Sequence, residues 1–133
     1  MSLSILHFSD IHLKNGDNKI MARVEKLKRA CASAIPYGND VVILISGDIA
    51  FSGKEDEYSI ASVLINSVSD YLVEQIGANI HFCFVPGNHD CNFASPNSVR
   101  DLLVENVTVA TIDNAIYDQM SSVQAAYYSF CEG

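Results

Sequence analysis

Residues 41–46 read VVILIS, an almost unbroken apolar run rich in β-branched side chains. A strand with one wet face alternates apolar and polar residues, and this run has no polar face to offer. It therefore belongs in the middle of a parallel sheet, with both of its faces expected under cover. That single segment commits the chain to an α/β architecture and requires neighbouring strands.

Two further short runs supply them. SILHFSD, residues 4–10, predicts a strand ending near Ser9, and NIHFCFV, residues 79–85, predicts another closed by Pro86 and Gly87. After the turn signals KNGDN comes a helix over about residues 18–35, its apolar positions Ile20, Val24, Leu27, Cys31 and Ala34 recurring every three or four. A second helix covers about residues 55–76, with Tyr58, Ala61, Ile65, Val68, Leu72 and Ile76 as its stripe and Gly77 as its stop. This alternation predicts consecutive βαβ units, and hence a parallel β-sheet with flanking helices. Beyond Pro96, SVRDLLVEN and IDNAIYDQMSSVQAAYYSF both read as helices. The chain is thus expected to be one domain, with a βαβαβ core over residues 4–93 and a helical cap or insertion over 94–131. The terminal MSL and EG read as residues added for expression, outside the fold.

At 133 residues, 49% hydrophobic and 18% charged, the chain is one ordinary globular domain. No apolar run approaches the roughly 18 residues of a membrane span, so no membrane association is expected. Sixteen acidic against eight basic residues give a net charge of −8, which argues against non-specific nucleic-acid binding. An anionic substrate stays compatible with this charge where bound cations supply positive charge locally. Cys31, Cys83, Cys91 and Cys131 form no C-x-x-C pair and read as reduced, mostly buried thiols of a cytoplasmic protein.

Ligands of an open parallel sheet bind beyond the carboxyl ends of its strands. The three strands are followed by SDIH, SGDIAFSG and PGNHD, so each exit carries a metal-competent side chain. Asp10 and His12 are two apart and on extended backbone would point to one side; such mixed oxygen and nitrogen donors suit Mn, Fe or Zn. Gly47 lets Asp48 turn toward the same point, where a carboxylate can bridge two cations about 3.5–4 Å apart. Asn88 offers a neutral oxygen, aimed by Gly87. His89 is placed for proton transfer to a leaving group, with Asp90 close enough to orient its imidazole or raise its pKa. Each piece alone is an ordinary turn or a solvated loop; their recurrence at all three exits selects the metal reading. His7 and His81 fall inside strands and read as structural.

These motifs resemble those of the calcineurin-like metallophosphoesterases over residues 5–93, with intervals of 38 residues from Asp10 to Asp48 and 40 from Asp48 to Asn88. The resemblance implies the amino-terminal portion of a four-layer sandwich, two divalent metal ions (Mn, Fe or Zn), and hydrolysis of a phosphate mono- or diester. Carried over, Asp10 and His12 would bind the first metal, Asp48 would bridge, Asn88 would bind the second, and His89 would sit near the leaving-group oxygen.

The family pattern continues with a lone His and a Gly-His-x-His, whereas no His follows His89 here. Of the eight protein–metal bonds the resemblance implies, Asp10, His12, Asp48 counted twice and Asn88 supply five. The expectation is therefore weak or partial metal binding in a truncated and inactive piece of a phosphoesterase, self-associating through a sheet left uncovered on one side. The alternative is a non-catalytic module that binds a partner or nucleotide and keeps a vestigial metal site. A flavodoxin-like nucleotide domain is disfavoured, because SDIHLKNGDN is no Gly-rich phosphate loop.

Overall fold

The computed structural model describes residues 2–94, 96–108 and 111–132. Strands β1 (Leu3–Phe8), β2 (Asp40–Ser46) and β3 (Asn79–Val85) form a parallel sheet in the order β1-β2-β3. Ile5 pairs with Val42 and Val42 with His81 across the sheet. Leu3 pairs with Asp40, so the first strand begins inside the segment that sequence reasoning set aside.

Helix α1 (Val24–Ala34) is shorter than its apolar period suggests and follows a single 3-10 turn at Met21–Arg23. The side chain of Asn18 competes for the backbone just before it, accepting from Lys14 N and donating to the carbonyls of Lys14 and Gly16. Helix α2 (Glu55–Ile76) has the expected length. The buried Glu57 carboxylate fixes its start by accepting from Ser52 N, Ser52 Oγ and Lys54 N. Gly77, at φ 62°, ends it in the left-handed conformation that glycine adopts without steric cost.

Val41, Ile43 and Ile45 on the inner face of β2 are fully buried against Leu64, Ile65, Val68 and Leu72 of α2, together with α1. Each large aliphatic side chain so buried contributes about 1.5–3 kcal/mol. The expected cover over both faces of β2 is not found among the described residues, and topology gives the reason. Successive crossovers of one hand, stepping in one direction from β1 to β2 to β3, place both helices on the same face. The opposite face is open: Leu3 and Ile5 are each 61% exposed, His7 and His81 lie exposed beside them, and Val42 and Leu44 are half-buried.

Beyond β3 come α3 (Ser98–Asn106), α4 (Asn114–Ser121) and, after a 3-10 turn at Ser122–Gln124, α5 (Ala125–Glu132). The single helix expected over residues 112–130 is split, because Ser121 and Ser122 turn their hydroxyls back onto the carbonyls of Tyr117 and Gln119 at the break. Helix α5 belongs to the core. Its Tyr127 is buried, and Phe130 stacks on Tyr58 at 5.3 Å and meets Phe84 edge-on at 5.3 Å.

All four thiols are free, yet only Cys31 is buried; Cys83 is exposed, and Cys91 and Cys131 are intermediate. Burial pushes the thiols of Cys31 and Cys131 up, away from the reactive thiolate. No helix among the described residues is long and apolar enough to cross a membrane.

Candidate metal centre

The site begins where the sheet ends. The segments leaving β1 and β2 continue to pair: Asp10 N donates to Gly47 O at 3.3 Å, His12 N to Asp48 O at 2.9 Å and Leu13 N to Ile49 O at 2.8 Å. Within this ladder three residues other than glycine carry positive φ: Asp10 at 53°, His12 at 52° and Asp48 at 55°. A left-handed backbone costs roughly 1–2 kcal/mol for a residue with a side chain, somewhat less for Asp and His, so three in one place mark a site held by its surroundings. Neither Asp10 nor His12 has the extended backbone on which the sequence reading set both to one side. Asp10 is exposed and His12 partly buried.

The side chains that do converge are His12, Asp48 and His89, with candidate donor atoms all within 4.8 Å of one another. The rings of His12 and His89 meet edge to face, 4.7 Å between centroids at 82°. His12 Nδ1 is buried without a hydrogen-bond partner, a state that costs about 1–3 kcal/mol unless something accepts its lone pair or its proton. His89 Nδ1 lies 2.8 Å from the Phe51 carbonyl. A carbonyl can only accept, so Nδ1 carries a proton and Nε2 is the ring nitrogen left to take up or release one. Asp48 Oδ1 accepts the His89 backbone N–H at 2.9 Å. One orphaned imidazole nitrogen and one carboxylate form the start of a donor set that fits Zn²⁺, Mn²⁺ or Fe²⁺, with the oriented imidazole of His89 beside them.

Asp90 has a different position from the one its place in the sequence suggests. It is fully buried, and its carboxylate accepts from Asp48 N at 2.8 Å, Gly87 N at 2.9 Å, Ala50 N at 3.0 Å and the Tyr58 hydroxyl at 3.1 Å. It ties the loop after β2 to the loop after β3, while the His89 ring is oriented by Phe51. Burial first, and then the Asp90 charge, hold the Tyr58 phenol far above its ordinary range, so it remains a donor. In the sequence Tyr58 falls in the apolar stripe of α2. Its hydroxyl, at the end of that stripe nearest the loops, was the only signal of a second task.

Asn88 is exposed, its backbone carbonyl accepting from Cys91 N at 3.4 Å. Gly87 makes room for Asp48: a Cβ there would lie 2.6 Å from Asp48 N and 2.7 Å from its Cγ. Gly53 is under the same constraint, with φ 67° and a Cβ position 2.6 Å from the Cys91 carbonyl carbon. Gly53→Ala is therefore expected to destabilise by about 2–5 kcal/mol, from the left-handed backbone and the overlap together. A urea unfolding midpoint unchanged by this substitution would show that the loops shift freely.

The profile of a family described as Calcineurin-like phosphoesterase matches residues 3–129, which takes in the sheet, all three strand exits and most of the helices that follow. No curated protein sequence matches the chain.

Proposed function

The chain belongs to the calcineurin-like phosphoesterase family, and from that premise we propose that it is a metal-dependent phosphoesterase acting on a phosphate mono- or diester through two divalent ions. The observation that carries the proposal is the grouping of His12, Asp48 and His89, with His12 Nδ1 buried and unpartnered. In this reading His12 and Asp48 would hold the cations, Asp48 would be shared between them, and Asp10 and Asn88 would be the further oxygen donors. Bound divalent ions polarise phosphoryl oxygens and bring the pKa of water toward neutrality. The chain's own residues orient the ester and move the proton. With its Nδ1 proton fixed on the Phe51 carbonyl, His89 exchanges protons through Nε2, the nitrogen free to meet a leaving oxygen. Asp90 acts by position, holding Asp48 and Gly87 in register.

The donors are few for two ions, so metal retention is expected to be weak and turnover slow. Supplied with excess Mn²⁺, the protein should hydrolyse bis(4-nitrophenyl) phosphate, and EDTA should stop it. After dialysis, elemental analysis should find well below two ions per chain. Hydrolysis that ignores EDTA would overturn the metal-dependent reading. No hydrolysis at saturating Mn²⁺, with nucleotide binding that survives EDTA, would leave the non-catalytic module in its place.

A further inference from the structure

Beside the metal group, and sharing His12 with it, lies a groove of about 330 Å³ whose walls include Lys14, Asp17, Asn18 and Lys19. Among the described residues the ion pairs involve Lys28, His81 and Arg100, and neither Lys14 nor Lys19 has an acidic partner. Two free ammonium groups are unremarkable on most surfaces, but here they are set apart by the charge of the whole chain. Residues 14–29 hold six of the eight basic side chains and two of the sixteen acidic ones, a local charge of +4 in a chain of net −8. The rest of the protein repels anions, and the groove next to His12 lies at the one stretch that attracts them.

The segment that carries these lysines is also built. Asn18 Oδ1 accepts from Lys14 N at 3.0 Å, and its amide donates to Lys14 O at 2.8 Å and Gly16 O at 3.0 Å, closing a small loop. Asn15 Nδ2 pins that loop to α2 through Asp56 Oδ2 at 2.9 Å. These bonds run within the loop and from it to α2. They fix the backbone beneath the groove, which lowers the ordering cost of binding there.

We infer that this groove is a subsite for a second phosphate on the substrate, adjacent to the one that meets the metal group. The inference rests on the phosphoesterase reading. Lysine suits the role as a point charge for phosphate oxygens. Asp17 on the same wall leaves the groove a net charge of +1 from its lysines and carboxylate, which matches one additional phosphate and not a long polyanion. The substrate class is a phosphoester with a second phosphate close to the scissile one, such as a nucleoside diphosphate or a bisphosphate.

The test is calorimetric titration of pyrophosphate into the metal-free protein. Wild type should bind it, and the double variant Lys14→Gln, Lys19→Gln should bind at least about tenfold more weakly, the loss expected from removing charge-assisted hydrogen bonds. The control is Lys26→Gln, Arg29→Gln, which removes the same charge from exposed positions of α1 and should change affinity less than about threefold. Equal weakening in both variants, or no binding by wild type, overturns the subsite. Hydrolysis of bis(4-nitrophenyl) phosphate separates this result from the proposed function. Metal-dependent hydrolysis without lysine-dependent pyrophosphate binding sinks the subsite alone. Lysine-dependent binding without hydrolysis sinks the enzymatic reading and keeps the anion site.

Discussion

Asp90→Ala is expected to lower the unfolding free energy by about 4 kcal/mol, a large share of the 5–15 kcal/mol that holds a typical domain together. The substitution removes the acceptor for three backbone N–H groups, those of Asp48, Ala50 and Gly87, and leaves the Tyr58 hydroxyl only the Asp90 backbone carbonyl at 3.2 Å. Each orphaned donor costs about 1–3 kcal/mol, less where water can enter the space left behind. Asp90→Asn should recover only part of the loss. Its single amide oxygen can serve one side of the clamp, but its NH₂ then faces donors on the other. Urea denaturation followed by tryptophan-free probes such as far-UV circular dichroism reads the effect as a lower midpoint at constant slope. A loss below about 1 kcal/mol for the alanine variant would mean that the two loops hold together without Asp90.

Burial and orientation leave different marks on this chain. VVILIS placed β2 at the centre of the sheet, and the stripe from Tyr58 to Ile76 gave α2 its full length, because burial imprints a period on the chain. What those patterns do not carry is the hidden partner of each face. Val42 and Leu44 are as apolar as Ile43 and Ile45, yet only the latter pair is buried among the described residues, since both crossover helices lie on one side. The site shows the same division. The three strand exits were legible as the places where ligands gather, and His12, Asp48 and His89 do gather. Their orientation was not legible, because it depends on three backbone angles that composition does not encode: the positive φ values of Asp10, His12 and Asp48. For the same reason adjacency misled at Asp90. Neighbours in a tight turn point apart, so the carboxylate next to His89 in sequence turned into the protein while the imidazole turned toward Phe51.

Asp48→Asn should give the opposite result from Asp90→Ala: a protein that keeps its stability and loses its metal. Asparagine tolerates the left-handed backbone at φ 55° about as well as aspartate, and its amide oxygen can still accept the His89 N–H. The fold therefore has little reason to notice the change, and the unfolding midpoint should stay within about 0.5 kcal/mol of wild type. The metal group loses its only anionic member among His12, Asp48 and His89. Changes to groups that merely support metal ligands reduce affinity about 10- to 100-fold, so loss of the carboxylate proposed to bridge the ions should exceed about 100-fold and abolish Mn²⁺-dependent hydrolysis. Asp48→Ala should lose metal equally and also become less stable by about 1–2 kcal/mol, from the lost acceptor and the strained backbone. Titration with Co²⁺, followed by its visible absorption, measures the affinity of each variant without relying on turnover. If Asp48→Asn binds Co²⁺ as wild type does, the carboxylate serves only as an acceptor for His89 N–H. The three left-handed residues would then be a way of joining two loops, with no cation at their centre.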